Sequence, residues 1–367
     1  MVEETRRRKA DHIRIGLNQN IQARRTTTGL EDVHLIHKAL PEIDKKKIDL
    51  SAKIFGHKFA APLIVGAITG GADEALRINA TIAETVEELG LGMGVGSQRA
   101  AIEDKQFEKT FAIARKKAPT AFLIANIGGV QLVNGYGLKE VKKAIGMIEA
   151  DAIAIHLNAL QEAIQPEGQT NFKGVLEKIT EIASEIDKPV IAKETGAGIA
   201  AEEARTLEGA GVKGIDVSGA GGTSFAAVEY FRAKERENIF QRRLGDIFWD
   251  WGIPTAVSVV EVSTTTNLCV IASGGIRNGV EMAKALILGA SLTSLSQPVL
   301  KAAAKNVNET RTALSLLIDE LRNTMFLVGA DSVQELKKMP AVVTGKTAEW
   351  LTARGFSTTD RAQRRRD

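Results

Sequence analysis

Short apolar runs and longer amphipathic stretches alternate along the chain from Pro62 onward. A run of four to eight apolar or β-branched residues indicates a buried strand, and apolar residues spaced three and four apart indicate a helix. The runs predict strands at residues 63–67, 92–97, 122–127, 152–158, 190–194, 214–218, 269–273 and 291–296. The amphipathic stretches predict helices at residues 80–89, 138–149, 175–186, 201–208 and 281–288. This alternation is typical of repeated βα units around a parallel sheet.

Residues 254–262 are compatible with two structures. Their β-branched residues suit a ninth strand, whereas Pro254 suits the first turn of a sixth helix. If the segment is a helix, eight strands are left, which is the number that closes a (β/α)8 barrel. We therefore predict an α/β fold of the TIM-barrel class, with an elaborated connection between Thr223 and Leu268.

The same pattern divides the chain into three regions. Residues 1–60 are polar and are predicted to form an irregular N-terminal extension, and residues 61–300 are predicted to form the barrel. Residues 301–367 are predicted to be helical as far as 327 and to end in a basic tail at 364–367.

Composition narrows the class of protein further. The 367 residues include 48 Lys and Arg against 45 Asp and Glu, which gives a net charge of +3. This balance argues against a nucleic-acid-binding protein and against an acidic disordered chain. The single Cys269 excludes a disulfide framework and a multi-cysteine zinc site, and it favours a reducing, cytoplasmic location. Since no apolar run approaches the roughly 20 residues of a membrane span and no secretory signal is evident, we expect no membrane association.

One glycine motif is a decoy. Gly209, Gly211 and Gly214 match the dinucleotide-binding pattern G-x-G-x-x-G. In nucleotide-binding folds that pattern follows a strand and opens a helix. Here it closes a predicted helix and opens a predicted strand, so we expect a helix C-cap and a turn instead.

Two turns after the seventh and eighth predicted strands suit a phosphate group. Gly274 and Gly275 precede Arg277 and a helical pattern, and Ser296 and Gln297 follow the last strand. Backbone N–H groups at such turns bind anions, and arginine adds a forked donor for phosphate. Because TIM barrels commonly bind phosphate at this position, we predict a phosphate site; two ordinary tight turns are the alternative.

The fourth predicted strand ends in the densest group of polar residues. His156 and Asn158 are two residues apart, so both point to one face of a strand, and Gln161 and Glu162 lie just beyond. A lone histidine is more often structural, but four converging polar groups at one barrel strand end favour a functional site. Glu162 is a single carboxylate, which suits Mg²⁺ when substrate phosphates and water complete the coordination shell.

Other strands also end in polar groups that could converge. Ser97 and Arg99 are predicted to share one face at the end of the second strand, Asn126 ends the third, and Thr69 follows the first. Lys193 ends the fifth strand, where a lysine can serve as a Schiff-base amine, an anion clamp or a helix-capping cation.

Together these motifs resemble the FMN-dependent type 2 isopentenyl-diphosphate isomerases in their archaeal form, over nearly the whole chain. Each motif is weak alone, whereas their joint order and spacing are specific. The matching segments are residues 8–12 (RKADH), 69–71 (TGG), 93–99 (MGVGSQR), 156–162 (HLNALQE), 165–168 (QPEG), 193–194 (KE), 216–223 (DVSGAGGT), 250–255 (DWGIPT) and 273–277 (SGGIR).

The resemblance implies a TIM barrel that holds FMN at its C-terminal mouth and interconverts isopentenyl and dimethylallyl diphosphate. It further implies a need for Mg²⁺ and reduced FMN, reduction of the flavin by NAD(P)H, and a homo-oligomer, either a tetramer or an octamer. It also implies that the basic run near the N-terminus, which alone would be read as a solvated tail, is a lid over the substrate.

The resemblance also implies a set of site residues. The FMN contacts are expected at Ala67, Ile68, Thr69, Ser97, Asn126, Lys193, Ser218, Thr223, Gly275, Ile276, Arg277, Ser296 and Gln297. The diphosphate contacts are expected at Arg8, Lys9, His12, Ser97, Gln98, Arg99, His156, Asn158 and Gln161, with Mg²⁺ on Glu162. The implied catalytic residues are His156, Lys193 and Gln161.

The implied reaction adds a proton at one carbon and removes a proton from another. Because the sequence shows no carboxylate pair for this work, we expect the N5 atom of the reduced flavin to act as acid or base. Lys193 near the flavin N1 and C2 oxygen would favour the anionic reduced form. The chain departs from the family pattern at Ile68, Ala159, Gln169, Phe225 and 296–297, and none of these changes removes a predicted ligand to substrate or metal.

Two other functions are compatible with a barrel of this kind. An FMN-dependent 2-hydroxy-acid oxidase or dehydrogenase needs a histidine base and an arginine pair near the late strands, and no histidine follows the sixth strand. A non-catalytic barrel could bind a phosphorylated ligand or nucleic acid, but the near-neutral charge and the 5% aromatic content argue against nucleic acid.

Overall fold

Eight parallel strands close into a barrel, which confirms the predicted TIM-barrel fold. The computed structural model describes residues 2–363, so the predicted basic tail at 364–367 lies outside the described residues. The strands are β1 (Val33–Leu35), β2 (Ala52–Ile54), β3 (His57–Phe59), β4 (Leu63–Val65), β5 (Gly92–Gly94), β6 (Phe122–Gly128), β7 (Ala152–His156), β8 (Val190–Lys193), β9 (Gly214–Asp216), β10 (Cys269–Ala272), β11 (Leu292–Leu295) and β12 (Ala341–Val343). Strands β4 to β11 form the barrel in chain order, and β11 pairs with β4.

Helices fill the connections and both flanking regions. They are α1 (Val2–Asn18), α2 (Asp73–Leu89), α3 (Arg99–Glu103), α4 (Lys109–Lys117), α5 (Gly129–Leu132), α6 (Leu138–Met147), α7 (Ala159–Ile164), α8 (Val175–Glu185), α9 (Ala201–Gly209), α10 (Phe225–Glu235), α11 (Ile239–Ile247), α12 (Thr255–Thr265), α13 (Gly279–Leu288), α14 (Gln297–Ala303), α15 (Val307–Val328), α16 (Val333–Leu336), α17 (Gly345–Ala353) and α18 (Thr359–Ala362). Single 3₁₀ turns lie at Leu30–Asp32, Lys45–Lys47 and Lys105–Phe107. Within residues 2–363, no helix combines the length and the apolar character that a membrane span requires.

Alternation along the barrel strands separates two apolar clusters. In β7, Ile153 and Ile155 face the surrounding helices, whereas Ala152 and Ala154 face the barrel interior. The next inward position of β7 is His156, at the C-terminal end of the strand. The alternation that places apolar side chains in the core therefore also places polar side chains at the C-terminal end of the barrel.

An antiparallel hairpin that the sequence did not predict closes the opposite end of the barrel. Strands β2 and β3 pair with each other, and Phe59 packs in the barrel interior with its ring centroid 5.4 Å from that of Phe122. Phe55, in the turn of the hairpin, stacks on Phe122 at 6.1 Å. Only a few aromatic side chains form this plug. Because residues 1–60 are polar on average, the sequence pattern did not reveal the hairpin.

The prediction of an irregular N-terminal extension is wrong for residues 2–18, which form helix α1. Ile13 and Ile15 are 3% and 0% exposed, and the helix packs against α3, α10 and α14. Most of its remaining residues are polar or charged. Tertiary packing rather than a strong amphipathic pattern stabilises a helix of this kind, and a sequence pattern does not reveal such packing.

Residues 254–262 prove to be helical, which leaves eight strands in the barrel. The side chains of α12 from Thr255 to Val262 are buried because the helix packs against α9, α13, α17 and β10. A helix buried on several sides lacks the polar face that normally identifies it. The helix predicted over 301–327 is instead two helices, since α14 ends at Ala303 and Asn306 caps α15 by accepting a hydrogen bond from Glu309 N.

The glycine motif at residues 209–214 is confirmed as a helix end and a turn. Gly209 is the last residue of α9, Gly211 has a φ of 88°, and Gly214 begins β9. A glycine in the left-handed region after a helix satisfies the last carbonyls of that helix.

Candidate active site

A cavity of about 220 Å³ lies at the C-terminal ends of the barrel strands, with side chains of α1 on its wall. Nearly all the residues that the sequence singled out line this one cavity. They are Arg8, Lys9, His12, Ala67, Ile68, Thr69, Ser97, Arg99, Asn126, His156, Asn158, Gln161, Glu162, Lys193, Ser218, Thr223, Gly275, Arg277, Ser296 and Gln297.

Gln98 and Ile276 do not line the cavity, so we withdraw both as direct ligands through their side chains. The side chain of Gln98 is fully buried; it donates to Ala144 O at 2.8 Å and accepts from Asn126 N at 2.9 Å. Ile276 is also fully buried in the apolar core. Both residues instead fix neighbours that do reach the cavity, namely Asn126 and Arg277.

Two cavity residues reach the site by a different route from the one predicted. β5 ends at Gly94 and Arg99 opens helix α3, so the prediction that Ser97 and Arg99 share a strand face is wrong. β7 ends at His156, and Asn158 is the N-cap of α7. Short strands and tight strand-to-helix turns, rather than strand alternation, bring these side chains together.

His156 and Asn126 are joined by a hydrogen bond of 2.8 Å at the bottom of the cavity. The amide nitrogen of Asn126 donates to Val95 O at 3.1 Å, so its oxygen is the acceptor and His156 Nδ1 is the donor. Burial and the positive charges of Lys9, Lys193 and Arg8 lower the pKa of His156 to about 3. The imidazole is therefore neutral, and its Nε2 atom is a hydrogen-bond acceptor.

Lys193 is held on two sides. Its Nζ donates to Glu194 O at 2.7 Å and lies 3.4 Å from Asp216 Oδ2. Glu194 in turn accepts hydrogen bonds from the backbone N–H groups of the three residues that follow it, which shapes the loop after β8. Burial raises the pKa of Glu194 to about 7, although these N–H groups favour its charged form.

Two glycine turns pack against each other on the β9 and β10 side of the cavity. Gly274 and Gly275 have φ values of 98° and 75°, and a Cβ atom on Gly222 would collide with the backbone of Gly275. Thr255 fixes the turn because its hydroxyl donates to Gly274 O at 2.6 Å. This close approach leaves backbone N–H groups accessible to a ligand, as an anion site requires.

Arg277 lies beside this glycine turn. Burial lowers its pKa, with opposition from Glu281, and its guanidinium donates to Gln22 Oε1 at 2.8 Å and to Ile276 O at 2.9 Å. The carboxylate of Glu281 accepts from the backbone N–H of Arg277 rather than from its side chain. The guanidinium therefore keeps donors for an anionic ligand.

Three cations meet at another side of the cavity. Burial and the charges of Arg8 and Arg99 lower the pKa of Lys9 to about 7, and burial lowers the pKa of Arg8 as well. Among the described residues, Arg99 pairs with one carboxylate, that of Glu103, at 2.7 Å. Cations held together at a cost in desolvation and repulsion form a site for a polyanion.

Glu162 lies next to these cations and is 5% exposed. Its oxygens accept from Asn158 Nδ2 at 3.0 Å, Gln165 Nε2 at 2.6 Å and Gln169 N at 2.7 Å. The amide oxygens of Asn158 and Gln165 are buried, and no described residue is their hydrogen-bond partner. One carboxylate and two unsatisfied amide oxygens are hard ligands that suit Mg²⁺, and the described residues hold no group of three or more His, Cys, Asp or Glu with metal-binding geometry.

A buried cluster behind His12 was not predicted from the sequence. His12 Nε2 donates to Glu229 Oε1 at 3.1 Å, and Arg232 forms ion pairs with Glu229 and Glu167. Burial would raise the pKa of Glu229, but His12 and Arg232 together hold it below its usual value. The available signal was the i, i+3 spacing of Glu229 and Arg232 on α10, which is common on solvated helices.

Comparisons with known proteins agree with this geometry. The model of the family described as FMN-dependent dehydrogenase matches residues 2–124 and 140–342. A Methanosarcina barkeri protein named isopentenyl-diphosphate delta-isomerase is 47% identical over 99% of this chain and 98% of its own length. A Pyrococcus abyssi protein of the same name is 51% identical over 96% of both chains.

Solved structures show the same fold at greater distance. A crystal structure of mandelate oxidase superposes with a TM-score of 0.60, at 20% identity, over 93% of this chain and 98% of that chain. This likeness concerns the fold, whereas the archaeal relatives match the sequence over nearly its whole length. The chain therefore belongs to the isopentenyl-diphosphate delta-isomerase family, within the wider group of FMN-dependent dehydrogenases.

Proposed function

We propose that this protein interconverts isopentenyl diphosphate and dimethylallyl diphosphate with the help of reduced FMN and Mg²⁺. The observation that carries the proposal is the presence of two separate anion sites in one cavity. One is the glycine turn with Arg277 after β10, and the other is the group of Arg8, Lys9 and Arg99 at the opening formed with α1. The first suits the phosphate of a flavin nucleotide and the second suits a diphosphate substrate.

The residues present fit FMN. The glycine turn excludes side chains where a phosphate would lie, and the buried hydroxyl of Ser294, in the wall of the cavity, has no hydrogen-bond partner. We assign FMN contacts to Ala67, Ile68, Thr69, Ser97, Asn126, Lys193, Ser218, Thr223, Gly275, Arg277, Ser296 and Gln297. Bound in its reduced form, FMN supplies the acid–base group for the allylic shift of the double bond.

The residues also fit Mg²⁺. Glu162 supplies the carboxylate, and the unsatisfied amide oxygens of Asn158 and Gln165 supply neutral ligands. Oxygens of the substrate diphosphate complete the shell, as they do in many Mg²⁺ sites.

The side chains of the protein bind, orient and enclose the substrate. Arg8, Lys9 and Arg99 neutralise the diphosphate, and Lys9 takes up a proton when the anion arrives. His156 and Gln161 line the same cavity, and we assign both to substrate binding. Ile13, Phe225, Val228 and Leu300 give the cavity an apolar wall for the five-carbon chain, and α1 limits the entry of water.

We extend the proposal to features that sequence and family suggest. NAD(P)H is the reductant of the flavin, and the protein acts as a homo-oligomer, either a tetramer or an octamer. The cytoplasmic location expected from the sequence stays a prediction.

A 2-hydroxy-acid oxidoreductase function has weaker support. That chemistry needs a histidine base beside an arginine pair near the late strands. The histidines of this cavity are His12 and His156, which come from α1 and β7. The archaeal relatives at 46–51% identity carry the isomerase name.

An anaerobic assay tests the proposed function. Purified protein with FMN, Mg²⁺, dithionite and isopentenyl diphosphate should form dimethylallyl diphosphate. Product should disappear when the flavin stays oxidised or when EDTA removes the metal. Bound, reducible flavin without any product would contradict the proposal.

A further inference from the structure

The upper layer of the barrel interior contains a carboxylate that the proposed function leaves without a role. Asp216 ends β9, and its side chain is 8% exposed. With Lys193 and Asn126, it lines a small pocket whose other side chains are apolar, among them Ile124, Ile191 and Ile271. A charge in such surroundings is unfavourable unless it is paired and hydrogen-bonded.

Asp216 has two polar partners. The hydroxyl of Ser273 donates to Oδ1, and Lys193 Nζ lies 3.4 Å from Oδ2. Ser273 is itself fixed, since its oxygen accepts from Ser218 N at 3.1 Å. The carboxylate is therefore aimed at Lys193 by a rigid neighbour.

This arrangement positions the side chain of Lys193. Asp216 and Lys193 are directly paired in the register of β8 and β9. The Lys193 ammonium donates to Glu194 O at 2.7 Å and faces Asp216, which leaves an N–H for a ligand in the cavity. His156, on the neighbouring β7, is neutral, and Glu194 directs its carboxylate to the backbone of its own loop. Among the described residues, Asp216 is thus the carboxylate within ion-pair distance of the Lys193 ammonium.

We propose that Asp216 is a positioning residue that holds the Lys193 side chain aimed at the flavin. Asp216 does not line the main cavity, whereas Lys193 does, so the carboxylate acts through the lysine. The inference rests on the proposed function, in which Lys193 stabilises the anionic reduced flavin.

The test is the ratio of two affinities, for reduced and for oxidised FMN, measured by titration of the apoprotein under anaerobic conditions. By a thermodynamic cycle, this ratio also fixes the midpoint potential of the bound flavin. Asp216→Asn keeps the shape of the side chain and an acceptor for Ser273 but removes the charge. We expect it to favour oxidised FMN, lowering the ratio about tenfold.

The sign of the change separates this role from a direct one. If the carboxylate acted on the flavin directly, its removal would stabilise the reduced anion and raise the ratio. A raised or unchanged ratio in Asp216→Asn therefore overturns the proposal. Glu84→Gln, which removes the carboxylate from an exposed ion pair with Lys117, is the matched control and should leave the ratio unchanged.

A second variant keeps the test valid if Asp216→Asn does not fold. The double variant Lys193→Gln, Asp216→Asn leaves no buried charge unpaired, so it should fold. Compared with Lys193→Gln alone, it should show no further fall in the ratio, and a further fall would overturn the proposal. A wild-type protein that does not bind FMN would contradict the proposed function, whereas normal FMN binding with unmoved ratios contradicts this inference alone.

Discussion

Arg232 and Glu229 form an ion pair in which each side chain is only 1% exposed. The pair is extended on both sides, because Arg232 also contacts Glu167 and Glu229 accepts a hydrogen bond from His12. It therefore connects α10 to helix α1 and to the loop that follows α7. A buried pair of this kind is costly to break, because the partner that is left keeps an uncompensated charge.

Arg232→Met should lower the free energy of unfolding by about 3–5 kcal/mol. Glu229 would keep His12 as a partner, but burial lowers the pKa of that imidazole, so it does not replace the lost charge. Urea unfolding followed by circular dichroism measures the effect. The matched control is Arg14→Met, which breaks a pair with Glu235 whose side chains are 45% and 42% exposed; it should cost less than about 1 kcal/mol. Equal losses in the two variants would contradict the assignment.

Lys9 should take up a proton when an anion binds. Its pKa is about 7 in the free protein, and a neighbouring diphosphate favours the charged form and so raises that pKa. At pH 8, binding of inorganic diphosphate should add about one proton at this position, and the affinity should fall as the pH rises above 7.

Calorimetry in two buffers with different ionisation enthalpies measures this uptake. Lys9→Met is the reference, because proton exchange by the diphosphate itself still occurs in this variant, whereas proton uptake by Lys9 does not. The wild-type protein should take up more protons than the variant, and identical uptake would exclude Lys9 as the titrating group.

The glycine turn should be essential for flavin binding. A Cβ atom on Gly222 would collide with the backbone of Gly275, so Gly222→Ala should weaken FMN binding at least tenfold by displacing the turn. Fluorescence titration of FMN measures the affinity. Gly146→Ala, in the last turn of α6 with open space around the new methyl group, should leave the affinity unchanged. Normal FMN affinity in Gly222→Ala would disprove the placement of the phosphate.

Glu162→Gln should abolish most of the Mg²⁺-dependent activity. The variant keeps the shape of the side chain but loses the carboxylate, so Mg²⁺-dependent turnover should fall by roughly 100-fold or more while FMN stays bound. Initial rates across a Mg²⁺ titration measure the effect, with Glu181→Gln on an exposed face of α8 as the control. Unchanged turnover would remove Glu162 from the metal site.

The strands of the barrel were predictable because their side chains obey a simple rule. Outward side chains pack on helices and inward side chains fill the barrel, so both faces of a strand are apolar. A strand such as β7 is therefore a continuous apolar run, and the polar residue His156 marks its C-terminal end. Helix α12 was ambiguous for the same reason, since its burial removes the polar face that distinguishes a helix from a strand. Helix α1 was missed because its stability comes from contacts with distant elements.

The residues that line the cavity were largely predictable from motifs, but the orientation of their side chains was not. Gln98 lies between Ser97 and Arg99, and both neighbours reach the cavity, yet its side chain turns back to α6 because the chain enters helix α3 at this point. Glu229 and Arg232 could not be predicted, because their role depends on the position of α10 against α1. Sequence order shows which residues reach a strand end, and only packing shows where each side chain points.

The number of product molecules formed per reduced flavin tests the central claim most directly. The enzyme with bound FMN is reduced once by one equivalent of dithionite, the reductant is removed anaerobically, and isopentenyl diphosphate is added in large excess with Mg²⁺. An isomerase should convert many molecules to dimethylallyl diphosphate while the absorption spectrum of the reduced flavin persists. One product molecule per flavin, with reoxidation of the flavin, would show an oxidoreductase and would contradict the account.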